Sequence, residues 1–358
     1  GMTGEDLHNY FCYGYGKRYA EACRNSLGDD FIIYQRGACA GSQKWCANFS
    51  GDQFADWWGL KQQVIAGLSM AASGFSVWGG DLGGYEGKPS DCRGMQLSTM
   101  YPLMRAHGTR TRCPWDFGEK GIAAYKLNYW FRENLLDFIY SNAIDSHKNG
   151  TPMMRPFAME FPNETSIAAI DDEYIFCNDI LVGAVFKEGQ YSRKMSFPNG
   201  RWFGLWEGDV LNGGQDHKVQ APFDRLPLYL KSGSIIPVKI TDDLEFGKSM
   251  LNTNTVDAVV ITPPEFERQF DYNTDANNSV RYMLNAQSDK IVFKADDNNQ
   301  ASRILLYASA IKSVYRDGVE LEKISGYLAN ESGYWEAGNG RTGINLGDAC
   351  WSVIEINY

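Results

Sequence analysis

The hydrophobic pattern of the chain changes near residue 150, and this change constrains the fold more than any other feature. From Leu7 to about Asn149, short apolar runs such as FIIYQR, FSVWGG and YPLMRA alternate with longer amphipathic stretches at 56–69 and 122–147. Such alternation is typical of β/α units with a parallel sheet. After Pro152, short alternating strands are separated by Asn-Gly, Gly-Gly and Pro turns. The sequence therefore predicts an α/β domain at 1–149 and two all-β domains at 150–240 and 241–358.

The composition excludes several classes of partner. A chain of 358 residues with 44% hydrophobic residues can bury a large core. Its formal net charge of −10 argues against nucleic acid and anionic membrane surfaces as partners, and no apolar run is long enough to span a membrane. The eight cysteines form no CxxC pair, so we expect buried free thiols and a soluble, cytoplasmic protein.

Two blocks carry the residues that indicate chemistry. In YQRGACAGSQKWCANFSGD, Arg36 precedes Asp52 by 16 residues, and SGFSVWGGDLGGYEG places Asp81 at a strand end. A guanidinium group can hydrogen-bond to vicinal hydroxyls, and a carboxyl group at a strand-to-helix corner can serve as an acid. Together the blocks predict one wall of a sugar-cleaving site.

Seven motifs, in order along the chain, resemble those of glycoside hydrolase family 31, the α-glucosidase and α-xylosidase family. They are LHNYF, FIIYQRGACAGSQKWCANFSGD, SGFSVWGGDLGGYEG, YPLMRAHG, HKNGTPMMRPFAMEFPNE, DDEYIFCNDILVGAVFKEG and PLYLKSGSIIP. The resemblance extends from about His8 to Ile236. It implies the C-terminal half of a (β/α)8 TIM barrel, strands five to eight, followed by a β-sandwich domain, and the pattern of 241–358 predicts a second β-sandwich domain.

The resemblance also assigns roles to individual residues. It implies that Asp52 is the catalytic acid/base. The residues that it implies for substrate binding are Arg36, His107, Asp81, Trp78, Tyr85, Phe49 and Trp115. Two positions depart from the family pattern, because Phe49 stands where a tryptophan is usual and Tyr85 stands where the family has phenylalanine.

Structural roles remain open for several of these residues. Asp52 precedes an amphipathic helix and could be its N-cap. Asp81 could accept backbone N–H bonds that hold its loop together. His107 could be a satisfied polar residue. Trp78, Tyr85 and Trp115 could be ordinary core aromatics.

In the family, the nucleophilic aspartate precedes the segment that LHNYF resembles, in a D-G-E or D-x-N-E motif. The residues before His8 include no hydrophobic strand, so we expect Asp6 to cap the following helix. We therefore expect the nucleophile and the first barrel half to lie outside this chain. The resemblance implies a retaining α-glycosidase that acts on an oligosaccharide or α-glycoside and needs no metal or organic cofactor, with this chain inactive alone. Transglycosylase or lyase chemistry, or an inactive carbohydrate-binding or scaffold fragment, are the alternatives.

Half of a barrel would expose two strand edges and an apolar inner face. Monomers rarely tolerate such surfaces. We therefore expect a homodimer, with the strands near 31–34 or 101–104 at or beside its interface.

Overall fold

The computed structural model describes residues 1–358 except 2, 90, 111, 288, 297–298, 328–330 and 348–349. The chain forms two compact units. The first unit comprises Gly1–Ile122, Asp145–Cys177 and Ala184–Gln190. The second unit comprises Ala123–Ile144, Asn178–Gly183 and Tyr191–Tyr358.

A four-stranded parallel sheet organises the first unit. Its strands are β1 (Tyr34–Gln35), β2 (Ala47–Phe49), β3 (Trp78–Asp81) and β4 (Leu103–Arg105). They lie in the order β1-β2-β3-β4, and each neighbouring pair is parallel. Sequential parallel neighbours are what consecutive β/α units produce. Closure of these strands into half of a barrel stays a prediction.

The described part of the chain contains six α-helices. They are α1 (Gly4–Leu27), α2 (Trp57–Ala72), α3 (Arg93–Ser98), α4 (Gly118–Asn134), α5 (Leu136–Asn149) and α6 (Phe157–Glu160). Two short 3-10 helices cover Ser42–Lys44 and Pro114–Phe117. The amphipathic stretch at 56–69 corresponds to α2, whereas the stretch at 122–147 contains two helices, α4 and α5.

The helix caps settle two structural roles left open by the sequence. Thr3 is the N-cap of α1, and Asp6 is the third helical residue of a capping box, in which its Oδ2 accepts from the Thr3 backbone N–H at 2.9 Å. Asp6 thus supports the cap from inside the helix rather than being the cap itself. In α2 the N-cap is Asp56, whose Oδ1 accepts from the Gly59 N–H at 2.6 Å. The capping role considered for Asp52 therefore belongs to Asp56.

The first unit also contains a short antiparallel pair formed by β5 (Met154–Arg155) and β6 (Glu173–Phe176). The hydroxyl of the buried Tyr174 donates to the Met100 carbonyl at 3.0 Å. This bond satisfies a phenol that burial would otherwise leave unpaired.

The second unit is rich in strands. Its proximal part contains β7 (Ile180–Gly183), β8 (Ser192–Phe197), β9 (Arg201–Gly204), β10 (Val210–Asn212), β11 (Gln215–Gln220) and β12 (Leu228–Lys231). Strands β10, β9, β12 and β7 are antiparallel neighbours in that order, and β8 and β11 form a separate two-stranded ribbon.

Two further sheets follow. The five-stranded sheet has the order β13-β14-β18-β22-β21, and the six-stranded sheet has the order β15-β16-β17-β23-β19-β20. Their strands are β13 (Ile235–Thr241), β14 (Thr255–Ile261), β15 (Arg268–Asn273), β16 (Ser279–Gln287), β17 (Lys290–Ala295), β18 (Arg303–Leu306), β19 (Ser313–Arg316), β20 (Val319–Leu321), β21 (Gly333–Glu336), β22 (Thr342–Asn345) and β23 (Val353–Asn357). Side chains from both sheets, including Ile304 and Phe293, belong to one buried cluster. The division into two β-sandwich domains, and the boundaries at 149 and 240, stay predictions.

All eight cysteines are free thiols, as expected. Cys46, Cys92 and Cys177 are buried, but Cys350 is exposed, so the expectation that the thiols are buried is wrong for that residue. Among the described residues, no helix combines the length and the apolarity that crossing a membrane requires.

Two glycines give opposite predictions for alanine substitution. A Cβ at Gly67 in α2 would lie 1.8 Å from Cζ2 of the buried Trp78, whereas a Cβ at Gly14 in α1 would meet nothing within 4 Å. We expect Gly67→Ala to lower the free energy of unfolding by about 1–3 kcal/mol through overpacking. Gly14→Ala should raise it by about 0.5–1 kcal/mol through helix propensity. Urea unfolding midpoints compare the two variants, and equal midpoints would contradict the close approach of α2 to β3.

Candidate active site

The candidate site lies at the C-terminal ends of the four parallel strands. Arg36 directly follows β1, Asp52 comes three residues after β2, and Asp81 is the last residue of β3. Strand β4 ends at Arg105, and His107 comes two residues later. Because parallel strands point the same way, their C-terminal ends meet at one edge of the sheet, where β/α proteins place functional residues.

Arg36 and Asp52 form an accessible ion pair. Arg36 Nη1 lies 3.1 Å from Asp52 Oδ2, and the two side chains are 61% and 30% exposed. The preceding Gly51 has φ +88°, in the left-handed region that favours glycine, so the Ser-Gly-Asp turn depends on its glycine. The turn presents Asp52 where a ligand can reach it, and an exposed ion pair can open at little cost.

Asp81 and Arg105 form a second ion pair, in which the Asp81 side chain is buried and the Arg105 side chain is 32% exposed. The Asp81 side chain is fully buried, and its Oδ1 accepts hydrogen bonds from Arg105 Nε at 2.9 Å and Nη2 at 2.5 Å. Its Oδ2 is also buried and accepts no hydrogen bond from the described residues. The carboxylate is therefore held by a side chain, not by the backbone N–H groups that the structural alternative required. Because Oδ2 is buried as well, neither carboxylate oxygen is exposed to a ligand, and this corrects the prediction that Asp81 contacts substrate.

Two aromatic rings pack against the guanidinium of Arg105. Its central carbon lies 4.9 Å from the ring centre of Tyr34 and 4.5 Å from that of Phe49. Burial raises the pKa of Tyr34, while Arg105 acts in the opposite direction, so its phenol keeps its proton at neutral pH. Phe49 thus supports the site through Arg105.

Tyr85 and His107 come together at the rim. Their ring centres are 5.1 Å apart with an interplanar angle of 40°, and His107 is exposed. The buried Arg112 fixes this loop, donating from Nε to the Gly84 carbonyl at 2.7 Å and from Nη2 to the Tyr85 carbonyl at 2.6 Å. The Tyr85 N–H donates to the Gln53 carbonyl at 2.7 Å, which ties the loop to the residue after Asp52.

Two of the predicted substrate-binding residues do not join this group. Trp78 is fully buried, with its ring centre 4.8 Å from that of Tyr101, so it is a core residue. This corrects the prediction that its ring faces substrate, because a buried ring has no surface to offer. Trp115 lies in the 3-10 helix Pro114–Phe117 with 69% of its surface exposed, and no described contact links it to the residues above.

Sequence reasoning missed Arg105, Arg112 and Tyr34. Arg105 lies two positions before His107 in YPLMRAHG, at the end of a predicted strand. An arginine at this strand end, beside the strand that ends in Asp81, was the signal from which the ion pair could have been predicted. For Arg112 and Tyr34 we find no comparable signal, since their roles depend on contacts between distant segments.

Residues 1–142 match the Glycosyl hydrolases family 31 TIM-barrel domain, and residues 150–236 match the Glycosyl hydrolase family 31 C-terminal domain. An isomaltosyltransferase from Sporosarcina globispora is 28% identical over 306 residues, covering 80% of this chain and 28% of that protein. Alpha-glucosidase 2 from Bacillus thermoamyloliquefaciens is 29% identical over 241 residues, covering 65% and 31%. An alpha-xylosidase from Saccharolobus solfataricus is 32% identical over 233 residues, covering 62% and 32%. The chain thus spans roughly a third or less of the length of these relatives.

Solved structures share the fold. A cycloalternan-forming enzyme from Listeria monocytogenes, in complex with a pentasaccharide substrate, superposes with a TM-score of 0.91 at 24% identity, covering 100% of this chain and 36% of that one. A GH31 dextranase from Flavobacterium johnsoniae, complexed with glucose, gives a TM-score of 0.85 at 20% identity, covering 99% and 49%.

Arg105 gives a direct test of the Asp81–Arg105 ion pair. Arg105→Met should lower the free energy of unfolding by about 3 kcal/mol, because it leaves the Asp81 carboxylate buried without a cation. Adding Asp81→Leu should recover most of this loss. Arg110→Ala, a change at an exposed neighbour, should stay within about 0.5 kcal/mol of the parent. Urea unfolding followed by circular dichroism measures all four proteins, and an unchanged Arg105→Met midpoint would show that the pair is not needed for stability.

Proposed function

Because the chain belongs to glycoside hydrolase family 31, we propose that it supplies the acid/base side of a retaining α-glycosidase site. The observation that carries the proposal is the position of Asp52, at a strand end, accessible, and facing Arg36 at 3.1 Å rather than capping α2. The names of the relatives, an alpha-glucosidase and an alpha-xylosidase among them, support an α-glycoside as substrate.

In the proposed reaction, Asp52 donates a proton to the leaving glycosidic oxygen while a carboxylate from outside this chain attacks the anomeric carbon. Asp52 then removes a proton from water as the water displaces the enzyme-bound sugar. The two carboxyl groups of a retaining enzyme lie only about 5–5.5 Å apart. Asp81 is poorly suited to be the partner, because it is fully buried and ion-paired with Arg105.

Arg36 has two partners in this scheme. A guanidinium group is positively charged and has only hydrogen-bond donors, so its contact with Asp52 Oδ2 favours the ionised carboxylate over the protonated acid. We propose that substrate hydroxyls take over the Arg36 N–H groups and free Asp52 for the first step. His107 and Tyr85 would supply further contacts to the sugar.

Transglycosylation is the second candidate function. The isomaltosyltransferase covers 80% of this chain, more than the alpha-glucosidase and alpha-xylosidase cover. The same covalent intermediate serves both reactions, since a sugar hydroxyl can replace water as the group that Asp52 deprotonates. Chromatography of the products from isomaltose distinguishes glucose release from chain elongation.

The location and the other partners are also proposals. None of the eight cysteines forms a disulfide, and this supports a reducing, cytoplasmic compartment. The formal net charge of −10 disfavours nucleic acid as a partner.

Asp52 is tested in a chain extended to the length of the family relatives. Asp52→Ala should lower the hydrolysis of maltose or isomaltose by about 10²–10⁴-fold, because the poor leaving group needs the proton. Release of p-nitrophenol from p-nitrophenyl α-glucoside in the first step should persist, and azide should accelerate turnover by replacing activated water.

The matched control is Asp56→Ala. It should lower stability by about 1 kcal/mol through loss of the N-cap and retain hydrolysis. If Asp52→Ala keeps full activity on maltose and isomaltose, Asp52 is not the acid. The 358-residue chain assayed alone should turn over neither p-nitrophenyl α-glucoside nor p-nitrophenyl α-xyloside. Ordinary turnover would mean that the nucleophile lies within it.

We also propose that this chain, on its own, forms a homodimer. Phe11, Tyr15 and Tyr19 are spaced four residues apart on α1 and are 68%, 47% and 51% exposed. With the exposed Ile32 they line a groove of about 510 Å³ next to the edge strand β1. An unpaired edge beside an apolar surface favours association.

Light scattering at micromolar concentration tests the dimer. We expect twice the monomer mass of 40.2 kDa, with an interface of more than ~2,000 Å². Tyr15→Asp should shift the mass to that of a monomer, whereas Val319→Asp, a change at a residue 68% exposed in the second unit, should not. A monomer mass for the parent chain would reject the proposal. In a chain extended by the first barrel half, that half would cover the same surface and a monomer is expected.

A further inference from the structure

A cavity of about 590 Å³ lies in the second unit, and all its lining residues fall within 204–229. Ligand pockets in proteins typically enclose ~300–1,000 Å³. Strands β9 to β12 and the turns between them form its walls. Leu205, Leu211, Val219 and Leu228 supply apolar surface, and several polar side chains line the same space.

The turn between β9 and β10 is held in place by its backbone. The Gly208 N–H donates to the Gly204 carbonyl at 2.9 Å, and the Gly204 N–H donates to the Asp209 carbonyl at 2.8 Å. Gly208 has φ +68°, which favours glycine. A Cβ on Gly204 would lie 2.0 Å from Asp209 Oδ1, so the glycine leaves room for this carboxylate. The backbone thus fixes the turn that carries Glu207 and Asp209.

Among the described side chains, only one donates a hydrogen bond to the Asp209 carboxylate. Its Oδ2 lies 3.3 Å from the hydroxyl of Tyr229, which donates to it. Burial, with a smaller contribution from Asp209, raises the pKa of Tyr229, so the phenol remains a donor at neutral pH. Asp209 Oδ1 accepts no side-chain hydrogen bond within the described part of the chain.

Charged side chains of both signs line another part of the cavity. Arg225 Nη1 lies 3.2 Å from Glu207 Oε1, and its guanidinium carbon lies 5.7 Å from the ring centre of Trp206. Trp206 Nε1 donates to the Leu226 carbonyl at 2.8 Å, which fixes the indole. Lys218 also lines the cavity and forms no ion pair with any described residue.

The balance of charge limits the class of ligand. Glu207 and Asp209 contribute two negative charges, and Lys218 and Arg225 contribute two positive charges, so the lining favours neither a phosphate nor a metal ion. It offers acceptors, donors, an indole and aliphatic surface within one cavity. A sugar needs this combination, because each hydroxyl both donates and accepts while the C–H faces of the ring are apolar.

We propose that the cavity of residues 204–229 is a second carbohydrate-binding site that takes a neutral oligosaccharide. Trp206 and the leucines contact the sugar faces, and Asp209 Oδ1 and Lys218 Nζ bind hydroxyls. The site uses none of the residues at the ends of the parallel strands, so it does not depend on Asp52 being the acid.

Isothermal titration of the 358-residue chain with maltotriose and isomaltotriose tests the site. Asp209→Ala and Lys218→Ala should each raise the dissociation constant about tenfold or more, since each removes a hydrogen bond to a charged group. Val319→Asp, a change at an exposed residue outside both sites, should alter it by less than about twofold, and Arg36→Ala reports any binding at the strand ends. Circular dichroism confirms that each variant is folded, and Lys218→Ala changes an exposed strand residue that does not bear on folding.

The outcomes separate the two sites. Loss of binding in Asp209→Ala and Lys218→Ala but not in Arg36→Ala supports the inference. Loss only in Arg36→Ala overturns it, because the sugar then binds at the strand ends. No heat with either trisaccharide at millimolar concentration also overturns it, and so does equal binding of inorganic phosphate, which would make the cavity an anion site. None of these outcomes depends on whether Asp52→Ala abolishes hydrolysis.

Discussion

The Asp81–Arg105 ion pair is the interaction on which the rest of the strand-end site depends. Arg105 binds Asp81 of the adjacent strand β3, and its faces contact Tyr34 of β1 and Phe49 of β2, so one guanidinium touches a residue from each of the other three strands. A buried carboxylate is costly without a cation, and this cost makes the arrangement specific. Fixing these four strand ends also fixes the starting points of the turns that carry Arg36 and Asp52.

The two ion pairs of the site differ in the freedom they allow. Asp81 is fully buried, whereas Arg36 and Asp52 are 61% and 30% exposed. An exposed pair contributes little stability and can exchange partners, while the Asp81–Arg105 pair cannot open without leaving the buried Asp81 carboxylate uncompensated. The site therefore combines a rigid support with a replaceable contact at Asp52. A residue that donates a proton in one step and accepts one in the next needs that exchange.

The sequence predicted the elements better than it predicted their contacts. The alternation of apolar runs with amphipathic stretches located β3, β4 and α2, because hydrophobic periodicity is a local property. The pattern could not show whether Asp52 or Asp56 is the N-cap of α2, since both residues precede the helix and backbone geometry decides which one caps it. Trp78 was misjudged for a related reason. The strand position is correct, but whether its ring faces a ligand or the core depends on α2, where Gly67 leaves space for the indole.

The two candidate sites also differ in how far along the chain their residues are spread. The strand-end site uses residues from Tyr34 to Arg112, so its geometry requires the whole parallel sheet. The cavity of the second unit is built within 204–229, and its acidic turn is held by hydrogen bonds between near neighbours. The sequence shows Gly204 and Gly208 four residues apart, and glycines at such positions indicate a turn. The sequence did not indicate the cavity, because an ordinary β-hairpin also requires a Gly-rich turn between two strands. Only the close approach of the Asp209 side chain to Gly204 distinguishes this turn from an ordinary hairpin turn.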